Sequence, residues 1–183
     1  MSQPEDRVKG RPEPGRTDTP PVAGVRGEHD DALYDAIQAE IAKYPDRRSA
    51  ILGALRLAQE EYGWLSPEAL EEVGRGMDLS PGTCQAVASF YDMFFLEPVG
   101  THVIEVCTNL SCQLVGAGKV VEALEQELGI HLGETTPDGR ITLRSVECLG
   151  GCGWGPVVAV DERYHEHFEP GDAAALVAEV RNG

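Results

Sequence analysis

From about residue 29 to residue 97, apolar residues recur every three or four positions, the spacing that places them on one face of an α-helix. Pro45 and Gly63 interrupt this pattern, because proline pushes the preceding residue out of the helical region and glycine favours a helix end. The pattern therefore predicts two amphipathic helices in this stretch. Their apolar positions are Leu33, Ile37, Ile41 and Tyr44 in the first, and Ile51, Leu55, Ala58 and Tyr62 in the second.

Two serine–proline pairs predict two further helices in the same region. Ser66 precedes Pro67, and Ser80 precedes Pro81. A serine hydroxyl accepts a hydrogen bond from the first helical turn, and proline fits the first helical position, where an N–H has no partner in any case. Residues 28–97 are thus predicted to form a small N-terminal unit of four helices.

After Pro98 the pattern changes to short apolar runs of strand type that alternate with helical segments. The predicted order is strand, helix and strand, followed by a β-hairpin and a final helix. This order predicts an α/β domain over residues 98–183. The predicted elements cover residues 102–106, 119–128, 141–146, 157–160, 164–168 and 172–181.

Residues 1–27 contain five prolines and four glycines and show no apolar periodicity, so we expect this tail to be disordered. No apolar segment of the signal-peptide kind follows Met1, and the acidic residues of the tail do not suit a mitochondrial transit peptide. No uncharged run of the chain is longer than that of residues 106–118, which is too short for a transmembrane helix. We therefore expect a cytoplasmic protein with no direct membrane insertion.

The chain is strongly acidic, with a formal net charge of −16. Beyond Gly27, 27 acidic side chains face only 10 basic ones. Such a field repels nucleic acid and anionic membrane surfaces, so we expect no nucleic-acid partner. A basic docking partner is compatible with this charge.

Four of the five cysteines form two close pairs, each at the end of a predicted strand. Four residues separate Cys107 from Cys112, three separate Cys148 from Cys152, and residues 113–147 lie between the pairs. This grouping predicts a four-thiolate metal site, in which each pair closes a small chelate and folding brings the pairs together. Cys84 lies far from both pairs in sequence and is expected to be a small buried hydrophobe without a ligand role.

Three chemistries use thiols in such numbers. Disulfides belong to oxidising compartments, which the missing secretion signal does not favour. Structural zinc sites use cysteine pairs with two to four residues between the ligands. A spacing of four residues also occurs in 2Fe-2S proteins, in which two separated thiolate pairs suit the two irons. Spacing alone leaves zinc and iron–sulfur open.

The two cysteine loops carry no charged side chain. Residues 106–118 and 148–160 each form an uncharged run, in a chain of which 25% is charged. A 2Fe-2S cluster bound by four thiolates is anionic, so backbone N–H donors stabilise it and carboxylates do not. Four glycines between residues 150 and 155 let the backbone approach a bulky inorganic group. The loops therefore favour a cluster over zinc.

Four stretches of the chain resemble the small 2Fe-2S subunit of respiratory complex I, called the E subunit or the 24 kDa-type subunit. The similarity runs in order from about residue 33 to the C-terminus. The stretches are YPDRRSAILGALRLAQEEYGWLSPEAL (44–70), VASFYDMF (87–94), PVGTHVIEVCTNLSC (98–112) and GETTPDGRITLRSVECLGGCGWGPVVAVDERYHEHF (133–168).

This resemblance implies a thioredoxin-like 2Fe-2S ferredoxin domain, preceded by the small four-helix N-terminal unit. It implies one 2Fe-2S cluster, with the first cysteine pair on one iron and the second pair on the other. The implied ligands are Cys107, Cys112, Cys148 and Cys152.

The resemblance also implies a role and partners. The role is electron transfer within NADH:quinone oxidoreductase, as a non-autonomous subunit without an NADH site of its own. The partners are the larger subunit that binds flavin (FMN) and NADH, and other peripheral-arm subunits. Through this complex the chain would lie on the inner face of the cell membrane. No G-x-G-x-x-G nucleotide fingerprint and no C-x-x-C redox motif contradicts this expectation.

Several alternatives stay open at this point. Related subunits occur in NAD-linked hydrogenases and formate dehydrogenases. From other classes, a structural four-cysteine zinc module for protein interactions and a redox sensor stay open. Trp154 departs from the usual pattern of the family, so it either packs on a surface or shields the cluster from water. His165 and His167 are expected to share one face of a strand as solvated or core residues.

Overall fold

The computed structural model describes residues 31–182, so the predicted disorder of residues 1–27 lies outside the described part of the chain. Within it are seven α-helices and four strands. The helices are α1 (Asp31–Ile41), α2 (Ile51–Tyr62), α3 (Pro67–Met77), α4 (Pro81–Ala88), α5 (Leu110–Leu114), α6 (Ala117–Leu128) and α7 (Ala173–Asn182). The strands are β1 (His102–Cys107), β2 (Ile141–Val146), β3 (Val158–Val160) and β4 (Arg163–His165).

All four predicted N-terminal helices are present; α1 ends at Ile41, before the predicted position Tyr44, and local contacts set boundaries of the other three. The hydroxyl of Ser66 accepts a hydrogen bond from the N–H of Ala69 at 3.1 Å, and that of Ser80 accepts one from Thr83 at 3.1 Å. Gly63 ends α2 with a φ of 75°, a backbone conformation that favours glycine. These contacts fix the starts of α3 and α4 at the positions that the serine–proline pairs predict.

Helices α1 to α4, here called the helical unit, enclose a core of their own. Its members come from all four helices and from the segment after α4. The fully enclosed residues include Ile37, Leu55, Leu65, Val73 and Met77. The second large cluster holds residues of the sheet, α6 and α7, and it shares none with the first. A division into domains at residues 97 and 98 stays a prediction.

The sheet is mixed, with the strand order β2-β1-β3-β4. Strands β1 and β2 run parallel, with His102 opposite Ile141, whereas β3 runs antiparallel to both of its neighbours. Helices α6 and α7 contribute to the buried cluster of β1, β2 and β3. The prediction of an α/β fold is confirmed by this architecture.

The hairpin differs from the sequence prediction. The turn residues Asp161 and Glu162 adopt positive φ values, and strand β4 ends at His165, three residues before the predicted end. His167 itself has a φ of 51°. The expectation that His165 and His167 share one face of a strand is therefore wrong.

None of the helices between residues 31 and 182 has the length and apolar character that a membrane crossing requires.

Candidate metal centre

The parallel pair of strands brings the two cysteine loops to one edge of the sheet. Cys107 is the last residue of β1 and lies opposite Val146, the last residue of β2. Cys148 follows two residues later. The N–H of Cys107 donates to the carbonyl oxygen of Val157 at 3.0 Å, which ties the end of the second loop to the start of the first. The strand ends therefore position both loops.

Short helical turns hold the second cysteine of each pair. The side-chain oxygen of Asn109 accepts a hydrogen bond from the N–H of Leu110 at 2.7 Å and begins α5, which contains Cys112. Cys152 begins a 3-10 turn, Cys152–Trp154. Each cysteine pair thus combines an extended segment with a turn, a geometry that lets two thiols converge.

The four predicted ligands lie in one region of the molecule, where they interact in pairs and do not form a closed metal site. The thiol of Cys107 interacts with those of Cys112 and Cys148. Cys112 also interacts electrostatically with Cys152. Cys107 and Cys112 are buried, whereas Cys148 and Cys152 are exposed. Across residues 31–182, no group of three or more His, Cys, Asp or Glu side chains is arranged to hold a metal ion. The assignment of the four ligands stays a prediction.

Backbone N–H groups point at the sulfur atoms. Burial raises the pKa of the Cys107 thiol, but N–H donors from Leu149 and Asn109 and the neighbouring thiols outweigh burial and lower it below its ordinary value. The N–H of Gly150 donates to the Sγ of Cys148 at 3.3 Å. These donors favour the thiolate form, which is the form that binds iron.

The pKa of the Cys112 thiol is shifted in the opposite direction, above its ordinary value. Burial raises the pKa of its thiol, and the adjacent Cys107 and Cys152 add to this rise, although the N–H of Val157 opposes it. Of the two buried thiols, Cys107 is therefore the one whose thiolate form is favoured. Thiols grouped with N–H donors in charge-free loops suit an anionic group such as a 2Fe-2S cluster.

Gly155 leaves space for the Cys112 sulfur. A Cβ atom at position 155 would lie 3.2 Å from the Sγ of Cys112 and 3.2 Å from the Cγ2 of Val115. The backbone of Gly155 is extended, with a φ of −68°, so glycine is favoured here for its small size and not for its conformation. The second loop thus packs directly against the first.

The fifth cysteine lies in the core of the helical unit. Cys84 belongs to α4 and is fully buried. Burial raises the pKa of its thiol to about 11, which keeps it protonated at neutral pH. The prediction that Cys84 is a small buried hydrophobe is confirmed.

Large apolar side chains lie exposed beside the cysteine loops. Leu110 and Leu114 occupy the same side of α5, one turn apart, and are 70% and 78% exposed. Val115 follows them and packs against Gly155, whose chain neighbour Trp154 is half-exposed. The four residues form what is here called the apolar patch: Leu110, Leu114, Val115 and Trp154.

Part of this neighbourhood has a signal in the sequence. The spacing of Leu110 and Leu114 in an uncharged run indicates a short apolar helix face, and Asn109 is a typical cap. The sulfur-directed N–H groups of Leu149, Asn109 and Val157 carry no such signal, because any residue except proline supplies them.

The fold is an α/β sheet whose two parallel strands lead into the two cysteine loops, as expected of a small cysteine-rich binding domain. The thioredoxin-like [2Fe-2S] ferredoxin family matches residues 37–181. The chain belongs to this family, which confirms the predicted fold class and supports one 2Fe-2S cluster. The resemblance to the small 2Fe-2S subunit of complex I is also confirmed.

Two relatives cover most of the chain. The E 2 subunit of NADH-quinone oxidoreductase from Rhizobium meliloti (strain 1021) is 43% identical over 149 residues, 81% of this chain and 89% of that protein. NADH-quinone oxidoreductase subunit 2 of Thermus thermophilus is 42% identical over 156 residues, 84% of this chain and 86% of that protein.

A solved structure shows the same fold at lower identity. An NAD+-reducing [NiFe]-hydrogenase in its H2-reduced state superposes with a TM-score of 0.61 and 23% sequence identity. The superposition covers 70% of this chain and 22% of the hydrogenase chain. At this identity the likeness concerns the fold alone.

Proposed function

We propose that this chain is an electron-transfer subunit of an NADH:quinone oxidoreductase and carries one 2Fe-2S cluster. The observation that carries the proposal is the similarity to the Rhizobium meliloti subunit, 43% identical over 81% of the chain. The four neighbouring thiols at the sheet edge support it from within the molecule. In this role the chain is a non-autonomous part of the enzyme.

The ligands in this proposal are the two cysteine pairs, one pair to each iron. Cys107 and Cys112 would hold the inner iron, and Cys148 and Cys152 the iron nearer to solvent. When bound, the cluster supplies one-electron transfer. The chain contributes the N–H groups that stabilise the thiolates, and Gly155 keeps the two loops in contact.

The proposed partner is the larger subunit that binds FMN and NADH. The apolar patch supports such an interface, because exposed apolar side chains in this concentration mark interaction sites. The patch borders a groove of about 520 Å³ between α5 and the segment that follows β4. The chain's net charge of −16 disfavours a second copy and favours a partner with a basic rim. Other peripheral-arm subunits would link the complex to the inner face of the cell membrane.

The proposal is tested by mixing the purified holoprotein with the purified FMN-binding subunit and adding NADH without oxygen. We expect the red-brown chromophore to bleach only when both proteins are present. A colourless protein that contains stoichiometric zinc would support the interaction-module alternative and contradict the proposal. Isolation from the native host with hydrogenase or formate dehydrogenase subunits would favour the diaphorase alternative, and isolation without a flavoprotein would favour a redox sensor.

The apolar patch predicts where the partner binds. Leu114→Glu places a charge at the centre of the patch, and burying it in an interface has a high desolvation cost. We expect the affinity for the FMN-binding subunit to fall by roughly tenfold or more. The matched control is Leu132→Glu, which changes an exposed leucine outside the patch and should leave the affinity unchanged. Binding is measured by calorimetry, and equal losses in both variants would contradict the location.

A further inference from the structure

One side chain joins the helical unit to the strands that carry the cysteine loops. Arg144, in the middle of β2, donates from Nη2 to the carbonyl oxygen of Asp92 at 3.0 Å. Its guanidinium carbon lies 5.2 Å from the centre of the Phe95 ring. Its Nε lies 3.5 Å from Oε1 of Glu105 on the neighbouring strand. These four residues are here called the Arg144 seam.

The segment that Arg144 holds is fixed to the helical unit from the other side. Gln59 of α2 donates from Nε2 to the carbonyl oxygen of Met93 at 2.9 Å and accepts from the N–H of Phe95 at 2.7 Å. The carbonyl oxygen of Phe95 accepts from the N–H of Leu65 at 2.8 Å. The connecting segment is therefore bound to α2 on one side and to β2 on the other.

The seam lies close to the candidate metal centre along both strands. Glu105 and Arg144 are directly opposite each other in the β1–β2 pair. Cys107 follows Glu105 by two residues and Cys148 follows Arg144 by four. Any rotation of the strands relative to the helical unit would carry the cysteine loops with it.

Arginine suits this position better than other cations. The guanidinium group is planar, so it stacks on an aromatic ring while its N–H groups donate in the plane of the guanidinium. The Arg144 side chain is only 23% exposed, and that of Glu105 only 19%, so the contacts are partly shielded from water. A second polar bridge, from Arg56 of α2 to Glu162 of the hairpin turn, is 51% and 72% exposed and is expected to contribute little.

We propose that Arg144 is a positioning residue that fixes the direction of the cysteine-bearing sheet relative to the helical unit. The helical unit and the candidate metal centre then keep a fixed relative orientation when a partner binds. The two parts have separate buried cores that share no residue, so contacts such as those of Arg144 connect them. Arg144 would have this positioning role whichever partner the chain binds.

The first test measures a distance in the full-length holoprotein. A nitroxide label on Glu71→Cys, at an exposed site of α3, forms one spin and the reduced 2Fe-2S cluster the other. We expect Arg144→Gln to broaden the distance distribution about twofold or more, and the control Arg56→Gln to leave it unchanged. The absorption spectrum of the cluster should stay the same in both variants. An unchanged distribution in Arg144→Gln would overturn the proposal.

Two further variants and a second measurement keep the proposal testable if Arg144→Gln does not fold. Phe95→Leu removes the ring and retains much of the apolar volume, and Arg144→Lys retains the charge without the planar fork; both should broaden the distribution. Hydrogen exchange of the amides of residues 92–95 should become roughly tenfold faster in each seam variant and stay unchanged in Arg56→Gln. This measurement needs no cluster, so failure of the proposed function and failure of this inference are distinguishable. Exchange rates that match the native protein would contradict the seam.

Discussion

Cys107→Ala will yield a protein without the red-brown chromophore, with at least a roughly tenfold loss of bound iron and acid-labile sulfide. Alanine supplies no ligand at the end of β1, where the native thiol is buried and receives N–H donors from Leu149 and Asn109. Absorption spectra and iron and sulfide assays after anaerobic purification measure the effect.

The control for this experiment is Cys84→Ala. Cys84 is fully buried in the helical unit, and the pKa of its thiol is raised to about 11 by burial. A raised thiol pKa stabilises the folded state below the ordinary thiol pKa, and this contribution is lost as the pH rises through about 11. Cys84→Ala should therefore keep its full chromophore at neutral pH. Loss of iron in this variant, or full colour in Cys107→Ala, would show the ligand assignment to be wrong.

The second large effect is expected from Ile104→Ala. Ile104 is fully buried in β1, a central strand of the sheet, and its cluster joins the sheet to α6 and α7. Removing its outer methyl and methylene groups leaves a cavity and should lower the free energy of unfolding by about 2–5 kcal/mol. Because β1 ends at Cys107, loss of this strand also removes the metal centre. Heating should therefore bleach the variant at a lower temperature than the native protein.

Leu55→Ala is the matched variant in the other core. Leu55 is fully buried in the helical unit, so its truncation should have a comparable energetic cost of about 2–5 kcal/mol. If the two cores belong to separate domains, the unfolding transition seen by circular dichroism of the helices will move to a lower temperature. The temperature at which the cluster bleaches will then change much less. An equal shift of both signals would mean that the chain unfolds as one unit and that the predicted boundary is wrong.

Local chemistry explains why the helices could be predicted from the sequence. Ser66 and Ser80 are capping residues before prolines, and Gly63 and Gly129 end helices in the left-handed conformation. Each of these signals acts within a few residues of the chain. The cysteine pairs can also be predicted from the sequence, because each pair spans only a few residues and its loop has no charged side chain.

The arrangement of the sheet depends on distant contacts, and the sequence pattern does not contain them. Strand β3 inserts between β1 and β4, which follows from pairings as distant in sequence as that of Glu105 with Ala159. Helix α5 has five residues, so its two leucines and its asparagine cap are a weak signal that does not by itself distinguish a helix from a loop. The same limit explains His167, whose positive φ arises after a three-residue strand.

The seam illustrates a second limit. Arg144 occurs in a strand of alternating residues, where an exposed arginine is ordinary. The hydrogen bond from Arg144 to Asp92 joins positions 52 residues apart. The proposed positioning role of Arg144 depends on three contacts made at the same time, with Asp92, Phe95 and Glu105. A single sequence reveals the charge of such a residue and does not reveal which groups surround it.

The four thiols differ in their access to solvent, and this difference matters most before any iron is present. Cys148 and Cys152 are exposed, whereas Cys107 and Cys112 are enclosed with Ala117 and Val157. Peroxide dissolved in water therefore meets the outer pair first, and accessible cysteines are the ones that oxidise to sulfenic and then irreversible sulfinic acids. A newly synthesised chain is therefore expected to lose Cys148 and Cys152 to oxidation before Cys107 and Cys112, and early binding of iron and sulfide by the predicted ligands would prevent this loss.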